Sequence, residues 1–489
     1  MNAMPLKHIA ICGAGLAGTL CAAAIKSVLP DGIKLSLIDI DGSDKADVFY
    51  GTASSPTIYD FLLSIGISEA ELLPQTNSTF SVGTHYINWG EAKRSWVQSF
   101  HQPLPVFEGV GFHHYLMRIR DMAPEASDLE AYIMSVHAAR KGVFAHPPED
   151  KKTPLSSLEY GYHISPEEWR LLLSRKINMS DINRVSANVE KVDRKNEKIQ
   201  SITLTNGDVI KADLFVDCTG QNSVIAPSRI QSERKLKAVT SFKPQDKLDN
   251  VCRLLNDADY GWHSETSFQN GKHRLTVYNP DSEDLALTEH GQQDTAPVEA
   301  TLGYLEKPWQ GNCLAMGHSA AMLEALTPAP LMLLQRDILR LTELIPHTGS
   351  MGVEAQEYNR RFTEDYCHGS IFQRSLFEDS SAKETPYWKA ARAIPADEKL
   401  LNKIRQFQSR GVNAQYDLEP FGKEDWTQQH FGMGRLPRRY DPLAERADAR
   451  KILQTLKQMR TANEVLASKM PPHDIYMKKL LDYLRKTHG

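Results

Sequence analysis

The segment Ile11-Cys-Gly-Ala-Gly-Leu-Ala-Gly18 constrains this chain more than any other, because of what flanks it. A short apolar run from His8 to Cys12 precedes it and an alanine-rich stretch to about Ser27 follows, which predicts strand, glycine turn and helix in that order. Gly13 permits the tight turn, Gly15 lets backbone approach a pyrophosphate, and Gly18 lets the helix pack on the strand. The helix N-terminus then presents N–H groups to an anion. Ala14, Leu16 and Ala17 complete the turn. A second run, "IKLSLID", ends at Asp39, about 20 residues beyond the motif, where a carboxylate accepts from a ribose hydroxyl. Together these predict an α/β, Rossmann-like dinucleotide site.

Later segments decide which dinucleotide. Beginning at Arg184, "RVSANVEKVDR" and "KIQSITLT" alternate, Asn206-Gly207 reads as a hairpin turn, and "VIKADLFVDCTG" leads to Gly220. The Asp213–Gly220 stretch resembles the strand and turn that return to the cofactor in flavoprotein monooxygenases. "GNCLAMGHSAAMLEAL", Gly311 to Leu326, reads as a strand, a turn at Gly317 and a helix that closes over a flavin. No second GxGxxG stands ready for a nicotinamide, so FAD is the expected cofactor.

Bulk properties narrow the class further. A net charge of −4 over 489 residues favours neither nucleic acid nor an anionic membrane as partner. No apolar run approaches the roughly 20 residues that cross a bilayer, and the first strand begins too early for a cleaved signal peptide, so a cytoplasmic location is expected. Cys12, Cys21, Cys218, Cys252, Cys313 and Cys367 are scattered without a CxxC pair and read as reduced thiols. His113-His114 lacks a further ligand at metal spacing, so no metal is expected. Arg435, Arg438 and Arg439 flank Pro437 and read as a solvated basic loop.

With those elements in place, the order of motifs resembles the flavin-dependent tryptophan halogenase family over nearly the whole chain. Gly51 in "YGTASSP" matches a glycine-bearing segment after the second strand. "STFSVG", "GFHHYLMR", "GYHISPEEW", "DSSAKETPYW", "FGMGRLPRRYDPLAE" and "PPHDIYM" correspond to further family segments. The resemblance implies an FAD site fed with reduced flavin by a partner reductase. It also implies an oxidant that travels through a tunnel to a small aromatic substrate, a lysine and a glutamate that act on it, and a Ser-Thr-Gly turn that cradles halide.

Carried over position by position, Ser81 stands where the family has its lysine. Glu324 matches an earlier glutamate of the halide segment, and Thr327 occupies the place of the catalytic one. Pro328, Ala329 and Pro330 replace Ser-Thr-Gly, and proline removes N–H donors from an anion loop. Trp262 keeps the first tunnel tryptophan while Ser264, Thr266 and Ser267 replace the rest. On the substrate side the candidates are Trp262, His113 and Trp426.

The expectation is an FAD-binding oxidoreductase or monooxygenase acting on an indole-like aromatic. The alternatives are a tryptophan or indole halogenase with relocated catalytic groups, and a non-catalytic FAD- or indole-binding protein. Its flavin module is expected from 1–85, 160–235 and 300–345, with sheet-rich insertions at 86–159 and 236–299 and a helical region over 346–489.

Overall fold

β1 (His8–Cys12), α1 (Leu16–Val28) and β2 (Lys34–Asp39) form the expected opening unit, and β1 pairs parallel with β2. The computed structural model describes residues 5–90, 92–100, 104–149, 153–230, 234–378 and 383–488. Residues 379–382 of "DSSAKETPYW" lie outside them. β1 sits inside a six-stranded sheet whose order runs Trp309–Gln310, Cys313–Ala315, Leu214–Asp217, β1, β2, Asn183–Ser186. All neighbours are parallel except the edge pair Trp309–Gln310 with Cys313–Ala315. Covered on both faces, β1 and Leu214–Asp217 carry apolar side chains in consecutive positions instead of alternating ones. One of those faces is covered by α1, which packs between the helices Pro166–Asn178 and Ala329–Glu343.

The predicted hairpin is present. Lys198–Leu204 and Val209–Ile210 pair antiparallel across Asn206-Gly207, with Gly207 at φ +88°. A second sheet of seven strands runs Val298–Thr301, Lys235–Pro244, Gly271–Tyr278, Gly261–Phe268, Arg253–Ala258, Gly83–Trp89, Arg94–Ser99. In its core, side chains of this sheet pack on aromatic residues of the helical region, including Phe377, Tyr387 and Trp388, and on Phe49, Met322 and Leu326.

Three expectations are corrected here. Between Gly311 and Leu326 there is a strand, Cys313–Ala315, and a 3₁₀ turn, Gly317–Ser319, but no α-helix; the helix starts only at Ala329. The physical reason is Pro328 and Pro330: Pro328 is the N-cap and Pro330 lies in the first turn, positions where the missing N–H groups would have had no intrahelical partner. The 86–159 stretch holds the strand Arg94–Ser99 and then mainly helices, Phe112–Ile119 and Met134–Lys141. Arg435 is buried instead of solvated, and donates to the carbonyls of Ser375 and Glu378. The other two members of that run, Arg438 and Arg439, are exposed as read. All six cysteines are free thiols. Among the described residues no helix is long and apolar enough to cross a membrane, and no three His, Cys, Asp or Glu side chains gather as a metal site.

Candidate functional site

The turn after β1 has the geometry its glycines imply. Gly13 lies at φ +101°, and a Cβ there would sit 2.3 Å from the Cys218 carbonyl oxygen; at Gly18 it would sit 1.9 Å from that of Gly13. Gly15 behaves differently from expectation. Its close approach is to the chain's own backbone, a Cβ falling 2.7 Å from the Ser43 carbonyl oxygen. Residues 43–50 therefore lie across the turn. The Leu16 N–H, at the head of α1, donates to Asp47 Oδ2 at 2.8 Å, and Ala14 N–H donates to Ser43 Oγ at 3.1 Å. Ala17 lies beside Gly317, whose missing side chain makes room for Tyr50: a Cβ at Gly317 would meet the Tyr50 hydroxyl at 2.5 Å and Ala17 Cβ at 2.7 Å. Tyr50 stacks on His318 with ring centroids 3.9 Å apart.

A seat that binds a carboxylate at a helix N-terminus is chemically the seat of a phosphate, so the donor set fits FAD's pyrophosphate in kind. Asp39 ends β2 as read and accepts from Arg184 at 2.7 Å. Gly220, at φ +97° with open space around its Cα, donates its N–H to Ser319 Oγ at 2.9 Å, and the Ser319 hydroxyl also reaches Asp217 Oδ1 at 3.2 Å. A cleft of about 810 Å³ continues from Asp44, Asp47, Gly51 and Thr52 toward Phe268 and His273 on the second sheet.

Gly51 (φ +77°) approaches the 325 turn so closely that a Cβ would lie 2.8 Å from Ala325 Cβ. Thr327 and Pro328, which follow that turn, line a smaller cavity of about 140 Å³. Its wall combines Tyr86, Phe100, Phe372 and Phe421 with Thr84, Thr327 and Pro328, and with the acids Glu159 and Asp425. Phe372 and Phe421 are stacked at 3.8 Å.

Among the candidate residues, Thr327 alone lines this cavity. Its hydroxyl accepts from Gln373 Nε2 at 3.1 Å and Ala329 N–H at 3.3 Å. Glu324 and Trp262 are brought together elsewhere. Glu324, 3 % exposed, pairs with Arg234 at 2.5 Å and accepts from Trp262 Nε1 at 2.9 Å and the Tyr387 hydroxyl at 2.6 Å. Every oxygen is committed, which is a packing role for both residues. Burial among these groups pushes the Tyr387 hydroxyl well above its ordinary range. Ser81 is fully buried and donates to the Gly83 carbonyl at 3.3 Å. Leu326 contributes its carbonyl, which accepts from Tyr86 at 2.9 Å and Arg253 at 2.6 Å.

Two substrate-side expectations are corrected. His113 donates to the Gly411 carbonyl at 2.7 Å and packs on His114 and Phe407, away from the cavity. Burial lowers its pKa to about 4, so it is a neutral structural hydrogen bonder. Trp426 stands behind the cavity wall, edge-on to Phe372 at 5.0 Å, donating to Glu419 Oε1 at 2.6 Å with Lys403 Nζ 4.7 Å over its ring. It supports the wall and does not face the space.

Sequence reasoning missed two residues. Arg253 is 1 % exposed, has no carboxylate partner among the described residues, and donates to the carbonyls of Ala325 and Leu326 at 2.5 and 2.6 Å. Burial lowers its pKa to about 10. The signal was an arginine inside the apolar run Val251–Leu255. Asp47 carried no comparable signal, since nothing local distinguishes it from Asp44.

The tryptophan halogenase family model matches residues 8–449. Tryptophan 7-halogenase KtzQ of Kutzneria sp. (strain 744) is 21 % identical over 97 % of this chain and 98 % of its own length. Tryptophan 7-halogenase RebH of Lentzea aerocolonigenes is 22 % identical over 84 % and 83 %. Among solved structures, BrvH, a flavin-dependent halogenase from Brevundimonas sp. BAL3, superposes with a TM-score of 0.88 at 23 % identity, covering 97 % of this chain and 99 % of its own.

Proposed function

Since the chain belongs to the tryptophan halogenase family, a family of FAD-dependent enzymes, we propose that it is an FAD-dependent oxidoreductase that oxidises or oxygenates a small aromatic substrate and does not halogenate free tryptophan. The observation that carries this reading is Thr327. At position 327 of the cavity wall the chain presents a hydroxyl already held by Gln373, while the carboxylate of the same turn, Glu324, is spent on Arg234, Trp262 and Tyr387; the wall's acids, Glu159 and Asp425, come from other segments. No lysine lines the cavity among the described residues. A hydroxyl cannot accept a proton as a carboxylate does, and a cavity without an ammonium group has nothing to capture an electrophilic halogen.

What the remaining wall can do is bind and orient. Stacked Phe372 and Phe421, with Tyr86 and Phe100, offer ring faces to a flat apolar ligand, and the volume of about 140 Å³ limits it to a small one. Thr84, Thr327 and the acids Glu159 and Asp425 favour a ligand with hydrogen-bond donors or a positive group. Bound FAD supplies the oxygen-activating chemistry, with reduced flavin delivered by a separate reductase. The flavin module is assembled from 1–85, 160–235 and 300–345, a division supported by the six-stranded sheet, which draws every strand from those stretches.

The test is oxygen uptake by the purified protein with FAD, a flavin reductase and NADH, with and without candidate indoles and phenols, followed by mass spectrometry. Substrate-dependent oxygenated product supports the reading. Brominated product in excess bromide, or no substrate effect on flavin oxidation at all, counts against it.

A further inference from the structure

The segment that crosses the glycine turn carries an anion of its own. Asp47 sits in the 3₁₀ helix Lys45–Tyr50 and is 7 % exposed. Its Oδ2 takes the Leu16 N–H at the head of the thirteen-residue helix α1. No cation lies within ion-pair distance of it among the described residues: Arg170, the basic group nearest in influence, is itself paired with Asp44 at 3.2 Å. A desolvated carboxylate without a counter-ion is costly, and the Leu16 N–H at the helix N-terminus offsets that cost only in part.

Two further contacts fasten the segment. Ser43 Oγ accepts from Ala14 N–H, and the Ser43 carbonyl oxygen lies 2.7 Å from where a Gly15 Cβ would sit, on the side from which a pyrophosphate would approach the turn. At the other end Tyr50 fills the space beside Gly317 and Ala17 and stacks on His318. The neighbouring cleft also carries more acids (Asp44, Asp47, Glu167, Glu168, Asp294) than bases (Lys45, Arg170), which opposes an incoming dianion.

We propose that residues 43–50 are a built-in competitor for FAD: the Asp47 carboxylate holds the pyrophosphate seat in the resting chain, and FAD binds by displacing it. This rests on the FAD reading above. The apparent affinity is then the intrinsic affinity reduced by the fraction of chains in which the segment has left the turn. Anything that weakens the Asp47 contact raises FAD affinity, although Asp47 touches the very turn that binds the cofactor.

The experiment is calorimetric titration of the full chain with oxidised FAD, comparing wild type and Asp47→Ala, with hydrogen exchange of the wild-type 43–51 amides with and without FAD. Alanine removes the acceptor, and FAD affinity is expected to rise on the order of tenfold. In the wild type, FAD should speed exchange at Asp47 and Gly51, whose N–H groups are bonded to Asp44 and Val48 in the closed segment. The exchange measurement keeps the test decisive if the variant fails to fold. Measurable wild-type binding with unchanged or weaker binding in Asp47→Ala, or wild-type exchange over 43–51 that FAD leaves untouched, overturns the proposal while leaving the FAD reading intact. Absence of any FAD isotherm in both proteins overturns the FAD reading, and the competitor with it.

Discussion

Replacing Glu324 with alanine removes the acceptor for three buried donors at once: the Arg234 guanidinium at 2.5 Å, the Trp262 indole N–H at 2.9 Å and the Tyr387 hydroxyl at 2.6 Å. With Glu324 and Arg234 only 3 % and 10 % exposed, solvent screens the pair little and does not readily replace the lost acceptor. Breaking a buried ion pair from one side costs about 3–5 kcal/mol, and orphaning a neutral donor costs about 1–3 kcal/mol. These overlap within one network, so the expected loss is about 4–6 kcal/mol, not their full sum. Glu324→Gln keeps an acceptor oxygen for Trp262 or Tyr387 and should lose about half as much. The assay is urea unfolding of wild type and both variants, with FAD binding and oxygen uptake measured on the folded fraction. A packing role predicts a lowered midpoint graded alanine, glutamine, wild type, with turnover per folded molecule largely kept. If Glu324→Gln instead unfolds like wild type but abolishes turnover, Glu324 is a catalytic group and the network interpretation is wrong.

On the proposed reading, in which Thr327 and Ser81 stand at the places of the carboxylate and the ammonium, incubating the protein with FAD, reductase, NADH, bromide and tryptophan should give no bromotryptophan above a flavin-only control by mass spectrometry. FAD affinity should depend on pH through Asp47, which burial holds up at about 7 in the closed segment, Asp44 adding to the rise and the Leu16 N–H and Arg170 opposing it, with neighbouring Tyr50 and Cys218 kept neutral by burial. Once displaced into water, Asp47 returns to about 3.9, so the closed segment binds the extra proton between those values; its stability is complete below the lower one and is lost as pH rises through about 7. Calorimetry should therefore show FAD binding tightening from about pH 5 to 7 and levelling above, with Asp47→Asn flattening the curve. Arg253→Lys should lower the unfolding free energy in urea by about 1.5–3 kcal/mol, since a compact ammonium cannot span the Ala325 and Leu326 carbonyls together; an unchanged unfolding curve would mean the fork does not hold that turn.

Local chemistry determined a good part of this protein. Strand, glycine turn and helix around Gly13–Gly18, the end of β2 at Asp39 and the Asn206-Gly207 hairpin follow from periodicity and from φ values that only glycine adopts cheaply, so they were legible residue by residue. Motif order extended that reading to the family. Tertiary structure decided what each site residue touches. Glu324 is written as a free carboxylate, but strand pairing and helix packing bring Arg234, Trp262 and Tyr387 to it from 62 to 90 positions away in the chain. Trp426 and His113 show no local sign of facing inward, because burial depends on which helices pack over them. The occupancy of the glycine turn was likewise invisible: the motif specifies a seat for an anion, and only the folded path of residues 43–50 puts the chain's own Asp47 in it. Contacts between segments distant in sequence carry no local periodicity, and for that reason the seat could be read from the sequence and its occupant could not.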